Sequence, residues 1–348
     1  MAVPGPVSRA WLGVGLGVAL VAGILLSAMV GQLPVTPTEV IGSILRAVGV
    51  QNGWAPSSSV TESALWVVRF PRIVMGLAVG AALAVAGAVM QAIFGNPLAE
   101  PGVVGVSSGA ALGAAIGIVL GVSALGGWSI AIFAFAGGLL ATLLVYFVSR
   151  ANGRTEVVTL LLTGIAVNAF GGAGLALLLF LGDSASREQI IFWQLGSLNG
   201  SRWQETAVVI VVAVLGTIAA LTIGRRLDLL SLGERNARHL GLDVERLRIG
   251  SIVLVALLTG AAVAFCGIIA FVGLVIPHII RMAIGPSHRP LILASAIGGG
   301  TLMLFADLAA RTMLSGADLP IGMLTSLIGG PFFFFLLFRA RRRSGGWA

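Results

Sequence analysis

Apolar residues occur along the chain in long continuous runs, and polar residues are concentrated in the short stretches between them. An α-helix needs roughly 20 residues to cross the hydrocarbon core of a bilayer. Ten runs approach that length, and the predicted spans are residues 11–31, 73–92, 104–121, 129–148, 157–181, 204–223, 249–267, 268–284, 291–306 and 320–338. Since the runs do not alternate apolar and polar positions, a β-barrel is disfavoured. The pattern predicts an all-α polytopic membrane protein with about ten transmembrane helices.

The composition supports a membrane protein and excludes several classes of enzyme. The chain has 348 residues, of which 57% are hydrophobic and 10% charged, whereas a soluble domain has about 25% charged residues. All 21 basic residues are arginine. A Walker A phosphate loop needs a lysine, so we expect any ATP hydrolysis to come from a separate subunit. One cysteine and three histidines argue against a metal site, and we expect no catalytic residue and no cofactor.

The distribution of arginine predicts the orientation in the membrane. Ten spans place both termini on one side, and fifteen arginines fall on that side against six on the other. Because positive charge is retained in the cytoplasm, we expect both termini to be cytoplasmic in the plasma membrane of a bacterium. The first run is long enough to be an uncleaved span. In this membrane chain, the net charge of +8 indicates cytoplasmic arginine and not a nucleic-acid partner.

Three stretches interrupt the helical pattern. Residues 32–65 form a polar outer loop, in which a capping motif beginning at Thr36 predicts a short helix over 38–48. Residues 95–102 and 317–322 are rich in Gly and Pro yet adjoin spans. Irregular backbone at membrane depth is tolerated only where protein or a water-filled cavity surrounds it. These two stretches are therefore candidates for a transport pathway.

The longest predicted inner segment, residues 224–248, combines an apolar stripe with charges of both signs. Gly233 and Gly241 are expected to delimit a short helix of about two turns within it. Such a helix suits the docking of a soluble partner. The alternative is an interfacial helix that lies on lipid.

Three predicted outer arginines, Arg69, Arg72 and Arg311, lie near the ends of spans. They are candidates for recognition of an acidic partner. The alternatives are snorkelling anchors or a pair with Asp307. Asp307 is the only acidic residue predicted near the interior of a span, which disfavours an ion-coupled secondary carrier.

Seven ordered motifs within residues 60–338 resemble the FecCD family of permeases, which serve ABC importers of haem, ferric siderophores and cobalamin. The motifs read RFPR, AGAVMQAIFGNPLAEPGVVGVSSGAALG, WQLGSLNGSRW, LGERNARHLGL, GIIAFVGLVIPHIIR, ADLAAR and DLPIGMLTSLIGGP. The resemblance implies the type II ABC importer permease fold. We expect one transmembrane domain over 1–348, with the first span and outer loop in 1–60, the family core in 61–338 and the coupling segment in 224–248.

The resemblance also implies partners and residue roles. It implies a second permease subunit, expected to be a copy of this chain, together with two ATPase subunits and an extracytoplasmic substrate-binding protein. The residues that match the coupling helix of the family are Leu232, Gly233, Glu234, Ala237, Leu240 and Gly241. Those that match the cytoplasmic gate are Asn96 and Leu98, with Glu156 and Val157 at a neighbouring constriction where relatives often carry small polar residues. Arg69, Arg72 and Arg311 match positions that meet the binding protein.

The motifs NPLAEP and SREQIIFWQLGSLNGSRW are most similar to those of haem permeases. The resemblance therefore favours haem as the cargo, with a ferric siderophore or cobalamin as alternatives. An exporter of the same fold is disfavoured by the outer arginines, because exporters need no binding protein. An integral-membrane enzyme is disfavoured by the lack of clustered His, Asp and Glu.

Overall fold

The computed structural model describes residues 6–122, 126–151, 154–314 and 316–343. Within these residues the chain forms fourteen α-helices and one antiparallel hairpin. The helices are α1 (Pro6–Met29), α2 (Pro37–Ala47), α3 (Ser59–Ser63), α4 (Phe70–Phe94), α5 (Val106–Val119), α6 (Ser129–Val148), α7 (Val157–Leu181), α8 (Ser184–Leu195), α9 (Trp203–Leu230), α10 (Glu234–His239), α11 (Val244–Cys266), α12 (Val272–Ile284), α13 (His288–Thr312) and α14 (Ile321–Arg343). The hairpin pairs β1 (Arg150–Ala151) with β2 (Arg154–Thr155). A π-helical segment (Ala64–Arg69) precedes α4, and 3₁₀ turns occupy Pro101–Val104 and Gly126–Trp128.

Each of the ten predicted spans coincides with a helix, which confirms the all-α polytopic fold. In the described part of the chain, seven helical segments are long and apolar enough to cross a membrane, and three more apolar helices are shorter. The shorter three are α5, α12 and the first part of α14. The predicted cytoplasmic location of both termini concerns residues 1–5 and 344–348, which lie outside the described residues.

Helix α4 occupies the centre of the bundle. In its most apolar stretch, 83% of the residues are buried, and it packs against α9, α11, α12 and α13. Glycine allows two of these contacts. A Cβ added to Gly80 would lie 2.2 Å from the carbonyl oxygen of Gly299, and one added to Gly87 would lie 1.8 Å from that of Gly273. The backbones therefore touch directly, as small residues permit in helix packing.

Helix α7 is the most exposed of the long helices. Only 11% of its most apolar stretch is buried within the chain. Its outward side chains are large and apolar, and include Val158, Leu162, Ile165, Phe170, Leu177 and Phe180. Lipid or another apolar surface must cover this face, because water does not solvate it favourably.

The chain breaks its helices at three places that meet in space. After α11, residues 267–271 leave the helical conformation, although the sequence analysis placed two spans directly end to end there. The backbone N–H of Ser197, just after α8, donates to the carbonyl of Cys266 at 2.8 Å. The N–H of Ile321, at the start of α14, donates to the carbonyl of Gly196 at 3.0 Å. These bonds satisfy backbone groups that the breaks would otherwise leave unpaired.

The outer loop contains the predicted short helix, α2. Its N-cap Thr36 forms a capping box with Glu39, since the Thr36 side chain accepts from the Glu39 N–H and the Glu39 carboxylate accepts from the Thr36 N–H at 2.8 Å. Helix α8 was not predicted. Its residues lie between the predicted spans 157–181 and 204–223, in a short segment that mixes charged with apolar residues.

Candidate functional site

Helix α10 forms a short projection between two long helices. Gly233 precedes it with φ 96° and Gly241 follows it with φ 81°. Both values lie in the region that favours glycine, so the predicted two-glycine boundary is confirmed. Ala237 is fully buried against the rest of the chain, whereas Leu232 and Leu240 are 56% and 60% exposed. The helix thus rests on its own subunit, and the two leucines just outside its ends are exposed.

Glu234 holds the first turn of α10 in place. Its carboxylate lies 3.5 Å from the guanidinium of Arg238 and also accepts from the guanidinium of Arg248 in α11. Arg248 is only 2% exposed and was not singled out by the sequence analysis. A buried arginine fourteen residues from its partner leaves no local signal in the pattern, because the contact exists only once α11 has folded back.

The predicted gate residues lie at the ends of two helices. Asn96 follows α4, where its side-chain oxygen accepts from the backbone N–H of Leu98 at 2.9 Å. Glu156 is the N-cap residue of α7, and Val157 begins that helix. The exposed Glu156 carboxylate accepts from the Thr159 hydroxyl at 3.1 Å.

The segment that follows Leu98 lies directly against α7. A Cβ added to Gly164, two turns into α7, would lie 1.9 Å from the carbonyl oxygen of Val103. The structure therefore brings the irregular stretch after α4 beside the first turns of α7, although it does not join the two predicted gate pairs by a hydrogen bond within the described residues.

The three predicted docking arginines lie at the other end of the bundle. The Arg69 guanidinium donates to the carbonyls of Ala28, Met29 and Leu33 around the end of α1. The side chain is 7% exposed. Arg69 therefore satisfies the last carbonyls of α1, which have no partner within that helix.

Arg72 and Arg311 form an ion-pair network with two acidic residues. Arg72 donates to Asp307 at 2.9 Å and to Asp318 at 2.8 Å. Arg311 lies 3.5 Å from Asp307 and donates to the carbonyl of Ser27 at 2.7 Å. The pair with Asp307, one of the two alternatives to partner recognition, is therefore present in the structure. All three arginines nevertheless line a surface cavity of about 730 Å³ together with Asp318.

A second cavity, of about 390 Å³, lies beside α7 and was not predicted. Its wall is mainly apolar, and its polar members include Glu100, Ser107, Ser108, Asn168, Gln194 and Thr259. The Ser108 hydroxyl is paired with the side-chain oxygen of Asn168 at 2.6 Å. The sequence pattern does not reveal this cavity, because its wall combines α5, α7, α8 and α11.

Comparison with known proteins gives one consistent result. The model of the FecCD transport family matches residues 19–339. The hemin transport system permease protein HmuU of Yersinia pestis is 41% identical over 297 residues, which cover 84% of this chain and 89% of that protein. The cobalamin import system permease protein BtuC of Halobacterium salinarum is 39% identical over 353 residues, which cover 92% of this chain and 94% of that one.

A solved structure has the same fold. It is described as an inward-facing conformation of a metal-chelate type ABC transporter, and it superposes with a TM-score of 0.81 at 33% identity over 93% of this chain and 98% of its own. The chain therefore belongs to the FecCD transport family. It is a polytopic membrane permease of the type II ABC importer class and not itself a catalytic enzyme.

Proposed function

We propose that this chain is the haem-translocating permease of an ATP-driven importer. In this proposal two copies of the chain span the cytoplasmic membrane, with two ATPase subunits below and a substrate-binding protein above. Family membership carries the proposal, together with the identity to the hemin permease of Yersinia pestis. The end that carries α10 faces the cytoplasm, and the end that carries Arg69, Arg72 and Arg311 faces outward.

The exposed apolar face of α7 supports a pathway between two copies. A helix with 11% of its most apolar stretch buried needs a neighbouring surface, and a second α7 supplies one that is equally apolar. The cavity of about 390 Å³ beside this helix supplies volume next to that interface. Its mainly apolar wall suits a bulky, partly apolar chelate that must be released rather than held.

The gate and coupling roles follow from position. Asn96, Leu98, Glu156 and Val157 lie at the α4 and α7 ends that adjoin this path, and they form the cytoplasmic gate in the proposal. Helix α10 docks in the ATPase together with Leu232 and Leu240, exposed apolar residues that lie just before and just after it. Exposed apolar groups at a polar surface are typical of an interaction site.

The binding protein docks on the arginine cavity. Three arginines and Asp318 line this cavity, and the buried Asp307 pairs with two of the arginines. The cluster of five side chains therefore carries a net charge of +1 (three minus two). Asp318 is the more exposed of the two acids, with 35% of its side chain accessible. An acidic side chain of the binding protein would displace Asp318 from Arg72 on docking and so replace one ion pair with another.

Cobalamin is the second candidate cargo. The cobalamin permease of Halobacterium salinarum matches a larger share of this chain than the hemin permease does, 92% against 84%. A ferric siderophore is the third, because it is also a bulky chelate of the class that this family carries.

Cargo competition tests the proposal. Proteoliposomes would hold the permease with its ATPase, with the binding protein outside and ATP inside, and radiolabelled haem uptake would be measured against excess cobalamin or ferric siderophore. The proposal predicts ATP-dependent haem uptake that neither competitor suppresses. Uptake of labelled cobalamin or siderophore, with none of haem, would assign the cargo to that compound instead.

A further inference from the structure

One buried guanidinium joins three elements at the α10 end of the bundle. Arg248 lies in the second turn of α11 and is 2% exposed. Its Nη2 group donates to the carboxylate of Glu234, the first residue of α10. Its Nη1 group donates to the backbone carbonyl of Thr155 at 2.7 Å. A single rigid side chain thus bridges the coupling helix to the strand that leads into α7.

The same strand is held a second time by α11. Glu245, one turn before Arg248, accepts from the backbone N–H of Thr155 at 3.0 Å and from its hydroxyl at 2.5 Å. Thr155 is 3% exposed, so these bonds form away from water, where they are strongest. Helix α11 therefore bonds to both the backbone N–H and the backbone carbonyl of Thr155. Thr155 directly precedes Glu156 and Val157.

The chemistry of this bridge requires arginine. The guanidinium is planar and presents several N–H donors in fixed directions, so it can bond to a carboxylate and a carbonyl at once. A lysine ammonium is a compact charge that reaches one such partner well but does not match the forked geometry. The Arg248 side chain is 3% exposed, whereas that of Glu234 is 44% exposed. A buried guanidinium that loses its carboxylate is left with an uncompensated charge, which favours keeping the three groups together when α10 moves.

We propose that Arg248 is a positioning residue that transmits the movement of α10 to the cytoplasmic gate. It makes α10, the first two turns of α11 and the strand before α7 a single unit. When the ATPase displaces α10, that unit carries Thr155 with it, and the adjoining Glu156 and Val157 at the start of α7 follow. This inference rests on the proposed function, in which α10 binds the ATPase and the start of α7 forms part of the gate.

The test replaces Arg248 in the complete transporter in proteoliposomes. Arg248→Met keeps an unbranched apolar stem but removes the guanidinium and both of its bonds, and Arg248→Lys keeps the charge. The matched control is Arg246→Met on the same helix, because the Arg246 side chain is 88% exposed and, among the described residues, its ion pair is with the nearby Asp243 at 2.9 Å. Three quantities are measured: cargo uptake, ATP hydrolysis, and the spectrum of a nitroxide on Val158→Cys at the exposed start of α7.

Arg248→Met is expected to lower the cargo transported per ATP about tenfold, which lies within the range of ordinary coupling between sites. ATP hydrolysis continues, because α10 still binds the ATPase, but the nitroxide on α7 no longer responds to ATP. Arg248→Lys is expected to restore only part of the coupling, and Arg246→Met to match the wild type. Wild-type uptake per ATP in Arg248→Met, with an unchanged nitroxide response, would overturn the proposal.

An exchange of the two charges tests whether coupling needs the whole bridge from Glu234 through Arg248 to Thr155, which we call the relay, or only the ion pair between Glu234 and Arg248. The double variant Glu234→Arg/Arg248→Glu restores opposite charges, but a glutamate cannot donate to the Thr155 carbonyl. The relay predicts that this variant stays uncoupled, and full recovery of transport would contradict it. Should Arg248→Met fail to assemble, Glu234→Ala decides, because it removes the half-exposed carboxylate through which Arg248 contacts α10. Reduced uptake per ATP supports the proposal, and wild-type uptake per ATP overturns it. A wild-type complex that moves no cargo with ATP would instead refute the proposed function.

Discussion

The contact between Gly80 and Gly299 permits a sharp prediction about the centre of the bundle. A methyl group on Gly80 would lie 2.2 Å from the Gly299 carbonyl oxygen and 2.7 Å from the Cγ atom of Met303. An ordinary contact needs roughly 3.5 Å, so α4 and α13 would have to part by about 1.3 Å. A gap of about 1 Å already removes up to half of the attraction between facing atoms.

Gly80→Ala should therefore destabilise the protein by about 3 kcal/mol, the upper end of the range for overpacked cores, because the Gly299 backbone cannot rotate away. The matched control is Gly17→Ala in α1. No atom lies within 4 Å of the added methyl there, and alanine is favoured over glycine in a helix by about 0.5–1 kcal/mol. The two variants are thus expected to change stability in opposite directions.

Unfolding of the purified permease in detergent measures both variants, followed by tryptophan fluorescence during titration with denaturant. We expect Gly80→Ala to unfold at a lower denaturant concentration than the wild type, and Gly17→Ala to unfold at the same or a higher concentration. If the two transitions coincide, the close approach of α4 and α13 is not a determinant of stability, and the central position of α4 needs another explanation.

Three further predictions concern the outer end of the bundle: two concern the acidic partners of Arg72, and one concerns the capping box of α2. Asp307→Asn removes the carboxylate shared by the guanidinium groups of Arg72 and Arg311 and should lower the free energy of unfolding by about 3–5 kcal/mol. The same unfolding assay measures this loss, and an unchanged transition would show that the ion-pair network does not stabilise the protein. Asp318→Asn removes one of the two carboxylate partners of Arg72 and leaves the pair with Asp307. The variant should bind the binding protein severalfold more tightly at low salt, measured by surface plasmon resonance, and weaker binding would argue against docking there. Hydrogen bonds from the backbone N–H and the side chain of Thr36 lower the pKa of Glu39. The capping box therefore stabilises α2 above the ordinary pKa of Glu39, and this effect is lost as pH falls through the lowered value. Glu39→Gln removes the titrating carboxylate and should abolish this acid dependence of amide exchange in α2; its persistence would count against the box.

The spans could be predicted because bilayer thickness imposes a length on each apolar run. The short helix of the outer loop could be predicted because the Thr36 to Glu39 capping box is a local signal. The limits of α10 followed from Gly233 and Gly241 for the same reason. In each case the residues that specify the structure lie within a few positions of one another.

The unpredicted features depend on contacts between distant parts of the chain. The bond from Arg248 to Thr155 joins residues 93 positions apart, and neither residue type is unusual at its position. The interruption after α11 involves Phe271, whose φ of 68° is uncommon for a residue other than glycine. The bond from the N–H of Ser197 to the carbonyl of Cys266 holds that region, and an apolar run gives no indication of such a bond.

The roles of Arg69, Arg72 and Arg311 show the same limit. Their positions at one end of the bundle followed from span alternation. Their bonds to the end of α1 and to Asp307 did not, because the sequence left partner recognition and internal pairing open. Internal pairing is present, and docking stays a proposal that the Asp318 variant addresses.

ATP-driven uptake is the most direct test of the central claim that this chain is the permease of an importer coupled to a separate ATPase. Uptake of labelled cargo into proteoliposomes would be measured with ATP inside, without ATP, and with an imposed proton or sodium gradient alone. The Leu240→Asp variant, which alters the exposed residue directly after α10 (60% accessible), serves as the uncoupled control. If this chain is such a permease, cargo uptake will occur only with ATP, and it will be lost in Leu240→Asp. Uptake that follows the ion gradient without ATP would contradict the claim.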